Sequence, residues 1–179
     1  MTVTIPSSSL IACICEGGAE SVIINILLDK NLLIFGRDQL INACIIPRIS
    51  AAKFEERYLR VEYDKNILIL RVIDSRSEKF TLSRAYKCQV DIINVITAPE
   101  IEMLIIVSQD KYDDFCRSEV KKPSDYCKSV MRIRNVKKPS FVNEYFSNPD
   151  FLIACIKEYN RLHKRKSNEV SLYDLIKCK

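Results

Sequence analysis

The stretch Ile11-Ala12-Cys13-Ile14-Cys15-Glu16-Gly17-Gly18-Ala19-Glu20 decides the fold of this chain. It is an apolar run that stops at a carboxylate, two glycines and a second carboxylate, and the apolar pattern of residues 21–28 follows at once. The 179 residues contain 3 glycines, so the pairing of Gly17 with Gly18 is a local signal rather than background. An apolar run needs a sheet to hide in, a glycine pair permits a sharp turn, and the pattern that follows suits a helix. The reading is strand, tight turn, helix. Glu16 then stands at the carboxyl end of the strand, where ligands gather in open α/β sheets.

Working outward, Val22, Ile23, Ile26 and Leu27 are spaced for a helix over 19–30, closed by Asn31. Residues 32–35 read as a short second strand, Gly36-Arg37-Asp38 as a turn, and 39–46 as helix or strand, limited by Pro47. Ser50 is an N-cap for a helix over 50–59. Residues 66–73 are a buried strand ending at Asp74-Ser75-Arg76, 77–87 hold a short helix, and 90–96 form the next strand. Thr97 and Glu100 match a capping box, with Pro99 in the first turn of a helix through 106. A further helix covers 110–117. Beyond Lys121-Lys122-Pro123 come short basic helical pieces over 124–131, 140–146, 150–163 and 171–176, punctuated by Pro123, Pro139 and Pro149. Alternating strands and helices imply an α/β fold with a mostly parallel sheet of four to five strands flanked by helices. The expected organisation is an α/β domain over 1–116 with a basic helical C-terminal extension over 117–179 packed on it.

A chain that is 47% hydrophobic can bury a substantial core. No apolar run approaches the ~20 residues of a membrane span, and residues 1–10 lack the pattern of a secretory signal. The 8 cysteines include Cys13 and Cys15 within one strand, no C-x-x-C occurs, and His163 is the single histidine. Free thiols in a reducing, cytoplasmic setting are therefore expected, and no zinc site. The net charge of +5 is concentrated between Arg117 and Lys138, where Lys121, Lys122, Arg132 and Arg134 lie. Such a cluster suits the phosphates of DNA or RNA, or forms a solvated face.

The predicted strands end in acids: Glu16 after the first, Asp74 after the third, and Glu100 with Glu102 after the fourth. On parallel neighbours these carboxylates share one sheet edge. Clustered carboxylates raise one another's pKa unless a cation joins them. Oxygen ligands suit Mg2+ or Mn2+, which activate water in phosphodiester cleavage.

Glu16-Gly17, between an apolar strand and a helix, resembles the first signature of the Toprim fold of topoisomerases, primases and the OLD and RloB-like nucleases of phage defence. Cys15-Glu16-Gly17-Gly18-Ala19-Glu20 is similar to the opening of RloB-like proteins. Asp74-Ser75-Arg76 stands where that family has Asp-x-Asp, so Arg76 replaces a metal ligand with a cation suited to clamping phosphate. Ala98-Pro99-Glu100-Ile101-Glu102 before residues 103–107 looks like the family's later glutamate segment.

The resemblance covers about residues 10–108 and implies a metal-dependent nuclease of phage defence. In that reading Glu16, Asp74 and Glu102 are catalytic and hold Mg2+ or Mn2+. Gly17, Gly18, Arg76, Lys121, Lys122, Arg132 and Arg134 meet the DNA or RNA. The partner is a separate ATPase, since no Walker motif is present, and no membrane is involved; an oligomer fits equally. Other readings stay open at each residue. Glu16 can be a loop carboxylate on backbone amides, Asp74 a turn initiator, Glu20 a helix N-terminal acid, and Tyr145, Phe146, Phe151 and Tyr159 either base-stacking or core residues. The whole chain then reads as a non-catalytic Toprim-like module binding nucleic acid or protein, or as a nucleotide-binding or phosphotransfer protein.

Overall fold

The computed structural model describes residues 3–97, 101–166 and 168–177. In chain order the elements are β1 (Leu10–Cys15), α1 (Gly18–Asp29), β2 (Ile46–Pro47), α2 (Ala51–Phe54), β3 (Ile67–Ile73), β4 (Asp91–Ile96), α3 (Met103–Ser108), α4 (Tyr112–Arg117), α5 (Pro123–Ser129), α6 (Pro139–Tyr145) and α7 (Pro149–Leu162). The strands form one four-stranded sheet in the order β2-β1-β3-β4, parallel at every pairing. This is the α/β architecture that the alternation of strands and helices implies.

Both faces of the sheet are covered, which explains why the central strands show no polar alternation. Side chains leave a strand on alternate sides. Ile11, Cys13 and Cys15 of β1 and Leu70 and Val72 of β3 join one apolar cluster, whereas Ala12, Ile14, Ile67 and Ile69 join the other. The first cluster is large. It takes in Ile23, Ile24 and Leu27 of α1, residues of α3, Val142 of α6, Leu152, Cys155 and Ile156 of α7, and Leu172, Leu175 and Ile176 near the C-terminus. The second is thin, covered by Phe54 and Leu59 of α2 and its π-helical continuation over Glu55–Leu59, and by Leu82. Ser50 Oγ caps α2 by accepting from Lys53 N at 3.4 Å. Cys13, Cys15, Cys44, Cys88, Cys116 and Cys155 are free thiols.

Two sequence expectations are corrected. Residues 32–35 are no strand of the sheet; Leu33 bridges Ile176 in antiparallel fashion, and the second strand is Ile46–Pro47. Leu33 and Phe35 are 0% and 1% exposed, so their apolar pattern reports burial correctly, but against the C-terminal segment. Pro47, which lacks an N–H, fits the outer edge of β1's neighbour. Residues 77–87 hold turns, with Tyr86 and Lys87 amides donating to the Ser83 carbonyl, and no helix. Phe80 and Leu82 both pack into the second cluster, a two-residue spacing that an extended path satisfies and a helix does not.

The glycine pair works differently from the expected turn. No glycine has a positive φ, and Gly17 is an extended N-cap with φ −129° and ψ 171°. What the pair permits is close approach. A Cβ on Gly17 would lie 2.5 Å from Glu20 Oε2, and one on Gly18 would lie 2.6 Å from Cγ of Pro139 at the start of α6. The Thr97–Glu100 capping box falls on Glu100, outside the described residues. Thr97 itself is buried and its hydroxyl donates to the Ile73 carbonyl at 3.1 Å. Among the described residues no helix is long and apolar enough to cross a membrane.

Candidate functional site

The strand order fixes where the site lies. From β1 the chain leaves through α1 into the thick layer, and from β3 it leaves through residues 74–90 onto the thin one. Neighbouring parallel strands whose connections depart to opposite sides leave a crevice at their carboxyl ends. Glu16 and Asp74 flank it. The Glu16 amide donates to the Val72 carbonyl at 2.9 Å, and Glu16 Oε2 accepts from the Asp74 amide at 3.1 Å.

Around this pair runs a chain of alternating charge. Arg48, just past β2, reaches Glu16 Oε1 at 3.1 Å and Glu78 Oε2 at 3.4 Å. Glu78 Oε1 meets Arg71 Nη2 at 3.0 Å, and Arg71 Nη1 donates to Asn94 Oδ1 at 3.2 Å. Arg71 belongs to β3, is 3% exposed, and lies 4.7 Å over the Phe80 ring. A guanidinium is tolerated there because the thin layer lets Glu78 and an aromatic face reach it. Its Nε has no hydrogen-bond partner among the described residues, and neither has Glu78 Oε2, which keeps the charge contact with Arg48.

This environment pushes the Glu16 carboxyl from its ordinary 4.5 up to about 7. Burial is the largest cause, followed by a hydrogen bond with the Asp74 carboxyl; the Asp74 amide opposes, and the negative charges of Asp74 and Glu78 add to the rise. Arg48 does not reverse it, since its side chain is 60% exposed and water screens its charge. Glu16 can therefore carry a proton near neutrality.

The other sequence candidates are placed as follows. Glu102 is 3% exposed at the start of α3, with Oε1 3.9 Å from Lys137 Nζ. It does not complete a three-carboxylate group with Glu16 and Asp74: among the described residues no three His, Cys, Asp or Glu side chains gather to hold a metal ion. Arg76 is exposed and engaged by Glu169 at both ends of its fork, with Nε–Oε1 at 2.5 Å and Nη2–Oε2 at 3.1 Å. Lys121 is exposed and donates to the Ser118 carbonyl at 3.1 Å, while Lys122 is the residue before α5. Arg132 and Arg134 are exposed between α5 and α6. This basic segment continues through Lys137 and Lys138 to Pro139, which packs on Gly18, so it ends beside the N-terminus of α1. Phe146 is core, and the Tyr145 hydroxyl is tied to Ser108 Oγ at 2.7 Å and Gln109 Nε2 at 2.9 Å.

Arg48, Arg71 and Glu78 are the residues that sequence reasoning missed. Arg71 carried a signal, a lone charge inside Ile67-Leu68-Ile69-Leu70-Arg71-Val72-Ile73, because a buried arginine demands a partner. Arg48 and Glu78 carried none.

Fold and edge together define an open parallel α/β protein with an acidic pair at its topological switch point. Compared with protein-family models, with curated proteins and with solved structures, the chain matches none.

Proposed function

We propose that the chain is a Toprim-like protein acting on nucleic acid as a metal-dependent nuclease. The observation that carries this reading is the Glu16–Asp74 pair, at the switch point, with Glu16 raised to about 7. Mg2+ is commonly held by one or two carboxylates, with waters and substrate phosphate oxygens completing its shell. The two carboxylates fit that donor set without a third, and a cation would relieve the repulsion by Asp74 and Glu78 that adds to the effect of burial on Glu16. Such an ion supplies a Lewis acid and an activated water for phosphodiester hydrolysis. The chain's own residues bind and orient. Lys137 and Lys138 bring positive charge to the α1 end of the crevice, with Arg132 and Arg134 earlier on the same segment. The similarity of residues 15–20 to RloB-like proteins supports a role in phage defence beside a separate ATPase, and does so through motif alone.

A second reading is a non-catalytic module binding nucleic acid or a protein. It is favoured by Arg48 on Glu16 Oε1, a guanidinium where a metal would compete, and by Arg76 engaged with Glu169.

Titrating Mg2+ or Mn2+ into the chain with DNA and RNA substrates separates the two. The nuclease reading expects cleavage that falls at least ~100-fold in Glu16→Gln and in Asp74→Asn, with substrate binding retained. It also expects proton release on metal binding at pH 7, because the ion displaces the proton on Glu16. Nucleic-acid binding with neither cleavage nor proton release selects the second reading.

A further inference from the structure

Among the described residues four large apolar side chains stay exposed, Val61, Ile92, Val130 and Phe151, and of these Phe151 alone is aromatic. It has company. Phe141 and Tyr145 lie one turn apart on α6, their rings stacked at 5.4 Å and 26°. The Phe151 ring follows in the first turn of α7, 6.2 Å from that of Tyr145. Phe141 and Tyr145 are half-buried, so the three rings form one row partly open to solvent. The row is held in place. The Tyr145 hydroxyl is bonded to Ser108 Oγ and accepts from Gln109 Nε2, and the Phe151 ring lies 6.1 Å from that of buried Phe146. Rings fixed in this way lose little freedom when something stacks on them.

The row starts where the basic segment ends. Pro139 and Ser140 alone separate Lys138 from Phe141, and Pro139 packs on Gly18, two residues past Glu16. Arg132, Arg134, Lys137 and Lys138 are exposed along that segment. Its backbone is fixed too. Arg132 and Asn135 hold left-handed φ values of 58° and 63°, the Ile133 amide donates to the Cys127 carbonyl at 2.8 Å, and the Lys138 amide donates to the Asn135 carbonyl at 2.8 Å. Glu144 and Asp150, next in sequence to Tyr145 and Phe151, are exposed acids. Phosphates are therefore drawn to the near end of the row, and the far end offers ring faces rather than positive charge.

Cations leading into aromatic faces are what a single strand requires. Its phosphates meet the cations, and its unpaired bases stack on the rings whatever their sequence. A duplex keeps its bases stacked inside and uses only the charges. An apolar protein surface would cover the rings and leave the cations unmatched.

We propose that Phe141, Tyr145 and Phe151 form a stacking track for single-stranded nucleic acid, joined by the segment 132–138 to the crevice at Glu16. The inference rests on the nucleic-acid reading and names its substrate class, a single strand rather than a duplex. Fluorescence anisotropy of short labelled oligo-dT and oligo-U, and of a duplex of equal length, with the full chain in EDTA, tests it. At least one single strand should bind more tightly than the duplex, and the tighter of the two tells DNA from RNA. Phe151→Ala and Phe141→Leu should each weaken single-strand binding about tenfold and leave duplex binding unchanged. Arg134→Glu with Lys138→Glu should weaken both and flatten their salt dependence. The chain has no tryptophan, so Phe151→Trp supplies a single reporter. It should bind at least as well as the wild type, and its emission should be quenched by the strand as a base stacks on the indole, which a merely structural ring would not show. No binding by any probe, a duplex bound as tightly as the single strands, or single-strand binding untouched by both phenylalanine substitutions overturns the proposal. Since EDTA removes metal chemistry, ring-dependent binding without cleavage on adding Mg2+ would sink the nuclease reading alone. Cleavage by a chain whose strand binding ignores the rings would sink the track alone.

Discussion

Glu16 owes its chemistry to what surrounds it. A carboxyl whose pKa rises on folding keeps its proton in the folded chain after the unfolded chain has lost it, so the folded state binds more protons across that window. With 4.5 as the ordinary value and about 7 in the fold, Glu16's contribution is neutral below pH 4.5 and becomes a penalty as pH climbs to 7. Urea melts across that range should show wild type losing about 1–3 kcal/mol relative to Glu16→Gln. Parallel pH profiles for the two proteins would show that Glu16 is not the titrating group. Arg71 poses the complementary case, a charge that cannot neutralise itself. Arg71→Met leaves Glu78 with Arg48 as its remaining cation and should cost about 2–4 kcal/mol. Arg71→Met with Glu78→Gln should recover much of that loss, since replacing both members of a buried pair costs less than breaking it. A double variant as unstable as the single would mean that Arg71 contributes through its packing on Phe80 rather than through the ion pair.

At the scale of elements, the α1 N-terminus shows why neighbouring glycines are not equivalent. A methyl on Gly17 would meet the far end of the Glu20 side chain, which can turn away. A methyl on Gly18 would meet the Pro139 ring, fixed at the start of α6. Gly17→Ala should therefore change stability by less than about 0.5 kcal/mol. Gly18→Ala should cost about 1–2 kcal/mol despite alanine's better helix propensity, and Pro139→Ala in the same chain should restore it. Equal effects from the two substitutions would contradict the close approach of α1 and α6. The sequence marked the glycine pair but read it as a turn, because a close approach is set by a residue 121 positions away. Elements with strong local periodicity were legible for the opposite reason: β1, α1, β3 and α7 carry their burial pattern within themselves. Residues 32–35 and 77–87 were misread because Leu33 and Leu82 are buried by distant partners. The site divides the same way. Glu16 and Asp74 could be found from strand ends, whereas Arg48 and Glu78 join them through tertiary contacts that leave no spacing in the chain.

For the whole molecule, the thick layer depends on the last residues described. Val170, Leu172, Leu175 and Ile176 belong to the same cluster as β1 and α1. Their backbone is tied in as well: the Ile34 amide donates to Leu175, that of Lys177 to Leu32, and that of Ile96 to Val170. Glu169 and Asp174 add ion pairs to Arg76 and Arg165. The tail thus closes the outer edge of β4 and seals the 32–35 segment. Removing residues 169–179 would strip several buried apolar side chains, each costing about 2–5 kcal/mol when truncated alone. That sum exceeds the roughly 5–15 kcal/mol that holds a typical domain folded. The shortened chain should lose its cooperative urea transition, and Leu175→Ala in the full chain should lower the midpoint while keeping the transition sharp. A shortened chain that melts cooperatively near the full-length midpoint would show that the sheet and its helices are stable without the tail, which would then be an appendage to a core complete before residue 169.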